Sequence, residues 1–578
     1  MPDRISRRDH ALRHGPTAGD RVRLGDTDLW IRIEEDLTEP GDQALWGYAK
    51  DWRSRMTQAD RATRASELDA VIPSAIVVDP LLGVLKADIG IKEGRIVGIG
   101  RAGNPDITSG VDLTIGPNTW PIPSHGLIVT PAAVDSHVHL LSPRLIPVAL
   151  SAGVTTLITA GFEEPPDRMI STLEAFERLP VNIGLQASAR TDAPGGLDPV
   201  IEAGSVGLKI HEDWGAYPEI VDATLSAADD HDIAVCLHTD SLNESTDLAG
   251  TIAAIGDRTV HAYHVEGSGG GHIPDAIGLV RIPNIICSST TPTLPYGPAT
   301  ALEQLDMKLI VHEGNPGLPE DVAAARELVH PPTMAAEGPL HDLGAIQIVN
   351  SDSQGMGRIG ETVRRTFQLA HVMKRWRATA AGEGRGDPPP VRRLRPSAPA
   401  TDDRPDDNDR VLRYLAKVTV EPARVHGILD EVGTLAPGRI ADLVLWQASH
   451  FGVKPAMVLK GGVVAWSAIG EGNASVHFAE PVRYGPDWGG SGDAARALST
   501  TFVSQAALDA QIEVTLRTRR NVVPVHGTRG LTRGDLVANV VAPRIEVSSA
   551  DGTVTLDGRV LTCEPVGEVP LSRRYLFA

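Results

Sequence analysis

The chain has 578 residues, 42% of them hydrophobic, 22% charged and 4% aromatic, with a formal net charge of −20. This length exceeds what one hydrophobic core usually fills, so two or more domains are expected. The acidity and the scarcity of stacking rings argue against nucleic acid and anionic membranes, and favour a small substrate, a metal or protein partners. Three cysteines without CxxC spacing exclude a disulfide framework and a thiolate zinc site of the common type. The first twenty residues, MPDRISRRDHALRHGPTAGD, lack an apolar h-region, and no apolar run of about 18 residues occurs, so a cytoplasmic protein is expected.

In chain order, residues 1–130 form an N-terminal segment and the first part of a β-domain. The runs AVIPSAIVVD, ADIGIKEGRIVGIG and GLIVTP alternate β-branched residues with Gly, Asp and Pro. The same pattern returns over 426–480 in GRIADLVLWQ and PAMVLKGGVVAWS, so strands from both flanks are expected to combine in one β-sandwich domain. Between them, over 131–425, the apolar runs TTLIT, PVNIGLQ, SVGLKIH, DIAVCLH, TVHAYH, NIICSS, KLIVHEG and AIQIVNS alternate with helix-compatible segments. Strands alternating with helices predict an α/β fold, here a (β/α)8 TIM barrel. Nearly every run ends in or beside His, Asp, Ser or Glu, the pattern of a barrel whose active groups stand at the C-terminal strand ends. Residues 377–410, rich in Pro, Gly and charge, read as an exposed and disordered insertion. Residues 481–578 show mixed helix and strand signals and no recognisable chemistry.

The chemistry begins at VDSHVHLLSP, where the period of two in a strand puts His137 and His139 on one face. Two such imidazoles can chelate one metal; taken alone they are as readily a hydrogen-bonded surface pair. Further strand ends supply His238, His264 and Asp352, and these nitrogen and carboxylate donors suit zinc, nickel or iron. Lys209 in VGLKIHEDWGA sits in a run that reads as a buried strand. Burial disfavours its charged form, and a neutral amine can take up carbon dioxide to become a carbamate that bridges two metal ions. A lysine snorkelling to the barrel rim is the structural alternative. His211 shares the face of Lys209.

GLKIHEDWGA, HVEGSGGGHIPD, SSTTPTLPYG, LHDLGA, SDSQGMGR, GVKPAMVLKGG and GPTAGDRVRLGDTDLWI resemble the urease alpha subunits of the amidohydrolase superfamily over nearly the whole chain. The resemblance implies two nickel ions bridged by a carbamylated Lys209 and hydroxide, although the same donors suit zinc or iron. One ion would be completed by His238 and His264, the other by His137, His139 and Asp352. His211, Gly269 and Gly355 would contact substrate, Asp213 would support the lid histidine, and His312 would be that histidine and the general acid. The implied reaction is hydrolysis of urea, a linear amide, to ammonia and carbamate by a metal-bound hydroxide, as in urea degradation and nitrogen metabolism. Implied partners are beta- and gamma-type subunits and nickel-delivery accessory proteins, in a hetero- and homo-oligomer.

The chain departs from the family around the substrate. Val311 stands where the family has cysteine, Glu313 replaces a second histidine, Leu328 falls at the position of an arginine, with Arg326 two residues away, and Gly355 replaces alanine. The loop after Thr159 is shortened, and Glu163 and Glu164 lie in it. Two alternatives accompany the urease reading. One is an amidohydrolase acting on another small amide, urea derivative or guanidinium compound, and the other is a non-catalytic urease paralogue.

Overall fold

The computed structural model describes residues 5–39, 57–124, 126–161, 165–211, 215–238, 248–268, 276–395, 404–470 and 482–572. Eight parallel strands form the centre: β1 (Ala133–Val138), β2 (Val154–Thr159), β3 (Asn182–Gly184, continuing as Gln186–Ser188), β4 (Gly207–Ile210), β5 (Ala234–His238), β6 (Val260–Tyr263), β7 (Ile285–Thr290) and β8 (Ile348–Asn350). Each pairs in parallel with the next, and a parallel bridge from Val138 to Ser353 returns β8 to β1. The chain is thus an α/β protein built on a (β/α)8 barrel. These strands are buried almost throughout, which is why they read as continuous β-branched runs rather than alternating ones. Several flanking helices, Pro166–Ala175, Pro218–His231, Pro319–Glu327 and Pro331–Asp342, begin on proline, whose missing N–H costs nothing in the first turn and whose φ is already helical.

The β-domain joins the two flanks. Leu127–Pro131 lies parallel to Ala70–Asp79 on one side and antiparallel to Leu443–Gln447 on the other, inside a ten-stranded sheet that runs on to Met457–Lys460, Val463–Gly470 and Val482–Pro486. Its core is separate from that of the barrel and includes Ile72, Val77, Ile89, Val129, Leu443 and Leu459. Burying each such side chain contributes roughly 1.5–3 kcal/mol. Polar ties cross the same seam. Asp79 is buried and accepts hydrogen bonds from the Leu81, Leu82 and Leu435 amides and the Thr434 hydroxyl. Lys460, also buried, donates to Asp442, to Asn182 at the start of β3 and to the Leu498 carbonyl, at 2.7, 2.7 and 3.0 Å.

The C-terminal segment is part of the barrel wall. Thr500–Val503 pairs in parallel with the first half of β3, and Asn521–Pro524 pairs with it in turn. Buried Arg533 donates to the Ile285, Ala345 and Val541 carbonyls, and Arg520 to those of Phe176, Leu179 and Val181. Guanidinium groups supply several donors in a fixed fork, so each satisfies a set of strand and loop carbonyls that solvent does not reach.

Of the segment expected to be an exposed, disordered insertion, residues 377–395 have no helix or strand and are largely exposed, as expected, yet with 404–410 they are tied to the rest of the chain rather than loose. Arg377 and Arg410 both reach buried Asp342, Arg393 pairs with Glu34 at 2.6 Å and Asp409 at 2.7 Å, Arg385 donates to the Leu556 carbonyl, and Val391 is buried. Composition reads such charges as solvated because their acidic partners lie far away in the chain. Residues 396–403 fall outside the described part.

Candidate metal centre

The strand ends place the donors. His137 is the penultimate residue of β1 and His139 follows it; Lys209 lies in β4 with His211 next; His238 ends β5; His264 follows β6; Asp352 comes two residues after β8. All line one cavity of about 270 Å³, together with Leu141, Ala160, Val311, His312, Gln354, Gly355 and Met356. Asp213 and Gly269, and with them Glu163 and Glu164, lie outside the described residues.

The donors converge closely. Asp352 Oδ1 is 3.3 Å from His137 Nε2 and 3.0 Å from His139 Nε2, while Oδ2 is 3.9 Å from His264 Nε2. The ring centres of His137 and His264 are 4.7 Å apart, and those of His238 and His264 4.9 Å. His137, His264 and Asp352 present ligand atoms all within 4.8 Å of one another. Asp352 Oδ1 is buried and makes no hydrogen bond. A carboxylate oxygen without a donor, facing several imidazole nitrogens at ligand-to-ligand spacing, is what a bound cation satisfies; the residues fit divalent metal. His264 and Asp352 both hold positive φ, 50° each, conformations that cost energy for residues with a Cβ and gather at functional sites.

Burial holds His137 and His264 well below the ordinary imidazole pKa, and the neighbouring Lys209 and histidines push the same way. They are neutral, with lone pairs available to a metal. His211 stacks on His238 with ring centres 4.2 Å apart and is likewise kept neutral, first by burial and then by His238 and Lys209.

Two glycines are needed for space. A Cβ on Gly355 would come within 2.5 Å of Asp352 Oδ1 and 2.7 Å of the His139 ring. A Cβ on Gly161, at φ 72°, would meet the Lys209 Cβ at 2.5 Å.

Tyr263, beside His264 in TVHAYH, carries no signal in the sequence beyond that of a core aromatic. Its ring stacks under His137 at 3.9 Å with an angle of 16°, and Lys209 Nζ stands 4.0 Å from the ring centre. Its hydroxyl donates to the Ser136 carbonyl and accepts from Gln186. The aromatic face supports the Lys209 side chain and forms a flat floor for the donors. Gln354 was overlooked as well. Its side-chain oxygen accepts from the Leu141 and Ser142 amides and so ties the loop after β1 to the loop after β8.

The lid is different in kind. Helix α1 (Thr300–Val311) ends at His312, which is exposed and lines the cavity. The helix is anchored by Lys308, buried and donating to the Gly267 carbonyl at 3.0 Å. Glu313 is exposed at φ 55° and does not line the cavity. In the last turn of α2 (Pro319–Glu327) Arg326 is exposed, and Leu328 just beyond it is buried; neither borders the cavity, so Arg326 does not take the place of a site arginine.

Residues 128–491 match the model of the amidohydrolase family, and residues 3–122 that of the urease alpha-subunit, N-terminal domain. Among solved structures, the dihydropyrimidinase of Brevibacillus agri is 15% identical, covering 68% of this chain and 94% of that one, with a TM-score of 0.47. For the D-hydantoinase of Thermus sp. the figures are 16%, 68%, 95% and 0.49. For the L-hydantoinase of Arthrobacter aurescens they are 17%, 69%, 96% and 0.43. No helix among the described residues is long and apolar enough to cross a membrane.

Proposed function

Because the chain belongs to the amidohydrolase family, as a urease alpha-like member of it, we propose that it is a dinuclear metal hydrolase that cleaves a C–N bond of urea, releasing ammonia and carbamate. The observation that carries this reading is the convergence of His137, His139, Lys209, His238, His264 and Asp352 on one cavity. His137, His139 and Asp352 would hold one ion, His238 and His264 the other, and a carbamylated Lys209 would join them. The donor set suits nickel, zinc or iron, and resemblance favours nickel. When bound, such a pair supplies Lewis acidity toward a carbonyl oxygen and lowers the pKa of water.

The protein's own groups do the rest. His211, neutral and fixed against His238, donates an N–H to the substrate oxygen as charge gathers there. His312, at the end of α1 over the cavity, gives a proton to the departing nitrogen, which otherwise leaves as a poor anion. Gly355 leaves the substrate nitrogen room beside His139 and Asp352. The match of residues 3–122 to a urease alpha-subunit domain supports separate partner subunits, which co-purification from the native host tests.

A second reading is favoured by the outer wall. Leu141, Ala160, Val311 and Met356 give the described part of the cavity an apolar side that four-heavy-atom urea does not need. A larger urea derivative or amide would use it. Metal-reconstituted protein assayed for ammonia release from urea, N-alkyl ureas and small amides separates the readings. Activity on urea carries the first and activity on substituted compounds alone carries the second. Two ions bound without turnover of any compound would mean a non-catalytic paralogue.

A further inference from the structure

Below the cavity, deeper in the barrel, three further donors meet outside the centre already described. Cys236 lies on β5 two residues before His238, His261 on β6 three residues before His264, and His426 follows α3 (Val420–Val425). All three are buried. His261 Nδ1 is 3.2 Å from His426 Nε2 and 4.0 Å from Cys236 Sγ, and the three ligand atoms lie within 4.8 Å of one another. We propose that Cys236, His261 and His426 form a separate, three-coordinate binding site for a soft monovalent metal ion of the copper(I) kind.

The size of the triangle supports this. With edges of 3.2 and 4.0 Å and a third no longer than 4.8 Å, a point equidistant from the atoms lies roughly 2.0–2.4 Å from each, the length of bonds to thiolate and imidazole. Hydrogen bonds account for the contacts pairwise, His261 with His426 and the Cys236 thiol with His261, Tyr263 and Gln186, but only a cation bonds to all three ligand atoms at once. The outer nitrogens, His261 Nε2 and His426 Nδ1, make no hydrogen bond in either arrangement, whereas three metal–ligand bonds are gained in only one.

Donor charge selects the ion. On binding, the Cys236 thiol gives up one proton as the sulfur–metal bond forms, and that proton leaves to solvent, while the imidazoles bind through lone pairs. Thiolate, two neutral imidazoles and a monovalent cation sum to zero, which a desolvated interior tolerates; a divalent ion would leave a net positive charge there. Thiolate softness points to the same ion. The site does not depend on which amide the enzyme cleaves. It bears on the catalytic floor, because His261 packs edge-on against Tyr263 with centres 4.6 Å apart, and Tyr263 carries His137.

The test uses the full chain, first saturated with divalent metal, then titrated anaerobically with copper(I) against a competing chelator. We expect one further equivalent to be retained, with release of one proton, and at least tenfold weaker retention by Cys236→Ser and His426→Gln, whose divalent content and circular dichroism match the parent. X-ray absorption at the copper edge should show one sulfur and two nitrogen neighbours. Equal retention by parent and variants, or a copper spectrum without sulfur, overturns the proposal. Retention of zinc in preference to copper(I) at these residues overturns the ion class. If a variant fails to fold, the absorption spectrum of the parent alone decides.

Discussion

His137, His264 and Asp352 on the cavity floor are no more than 3% exposed, with Asp352 oxygens 3.3 and 3.9 Å from the two imidazole nitrogens, whereas Val311, His312 and Glu313 in the lid are all exposed. The floor stands on eight strands whose pairing closes a ring, so moving one donor disturbs neighbours packed at close to crystal density. The lid is the end of one helix, anchored through Lys308, and a side chain changed there meets mostly water. Chemistry that needs preorganisation therefore sits in the floor, and substrate selection can be altered in the lid at little cost to folding.

The largest break in that comparison is expected at the floor. Asp352→Ala or His137→Ala should lower kcat/KM by roughly 10³-fold or more, about 4 kcal/mol of transition-state stabilisation, with loss of bound metal measured on the same sample. Next comes His312→Gln, for which kcat should fall about 100-fold while metal content stays at the parent value. A variant that loses metal as well would make the lid part of the floor.

Acid should separate the two regions further. Burial keeps His137, His261, His264 and His341 neutral in the fold, while in the unfolded chain they take up protons near pH 6.5. Below that pH the unfolded state binds more protons, so the metal-free protein should be fully stable above about pH 6.5. It should lose about 1.4 kcal/mol per pH unit for each such histidine as the pH falls. Thermal melts from pH 8 to 5 that show no slope would place these imidazoles in water. Gly355→Ala tests the boundary between the regions. Its Cβ would press on Asp352 and His139, and a loss of kcat/KM of roughly tenfold is expected, about 1.4 kcal/mol. The smallest effect is expected for Arg326→Ala, within about twofold of the parent because the side chain is exposed and outside the cavity.

Most of the barrel was legible because a strand carries its own signal, a short buried β-branched run such as VTTLIT or AVCLH with a donor at its end; KLIVHEG, read the same way, is instead the last turn of α1, and the first strand is Ala133–Val138. Lys209 and the HVH pair were legible by residue type and period alone. The ties of the arginine-rich segment were not, since Arg377 pairs with Asp342 and Arg393 with Glu34, 359 positions away. Tyr263 looks like an ordinary core aromatic until His137 is found stacked on it. His261 and His426, 165 residues apart, each look like a satisfied core histidine until they are found side by side.

By itself the sequence determined the alternation of strands and helices, the donors at the strand ends and the kinship their motifs carry, because these are written in local periodicity and residue type. Only the tertiary structure decided that the donors share one cavity, that Leu328 and Arg326 stay out of it, that Gly355 has no room for a Cβ and that Cys236 meets two histidines. Those facts rest on closure of the ring between β1 and β8 and on side-chain contacts between distant segments, and a local pattern carries no information about which distant residue will arrive beside it.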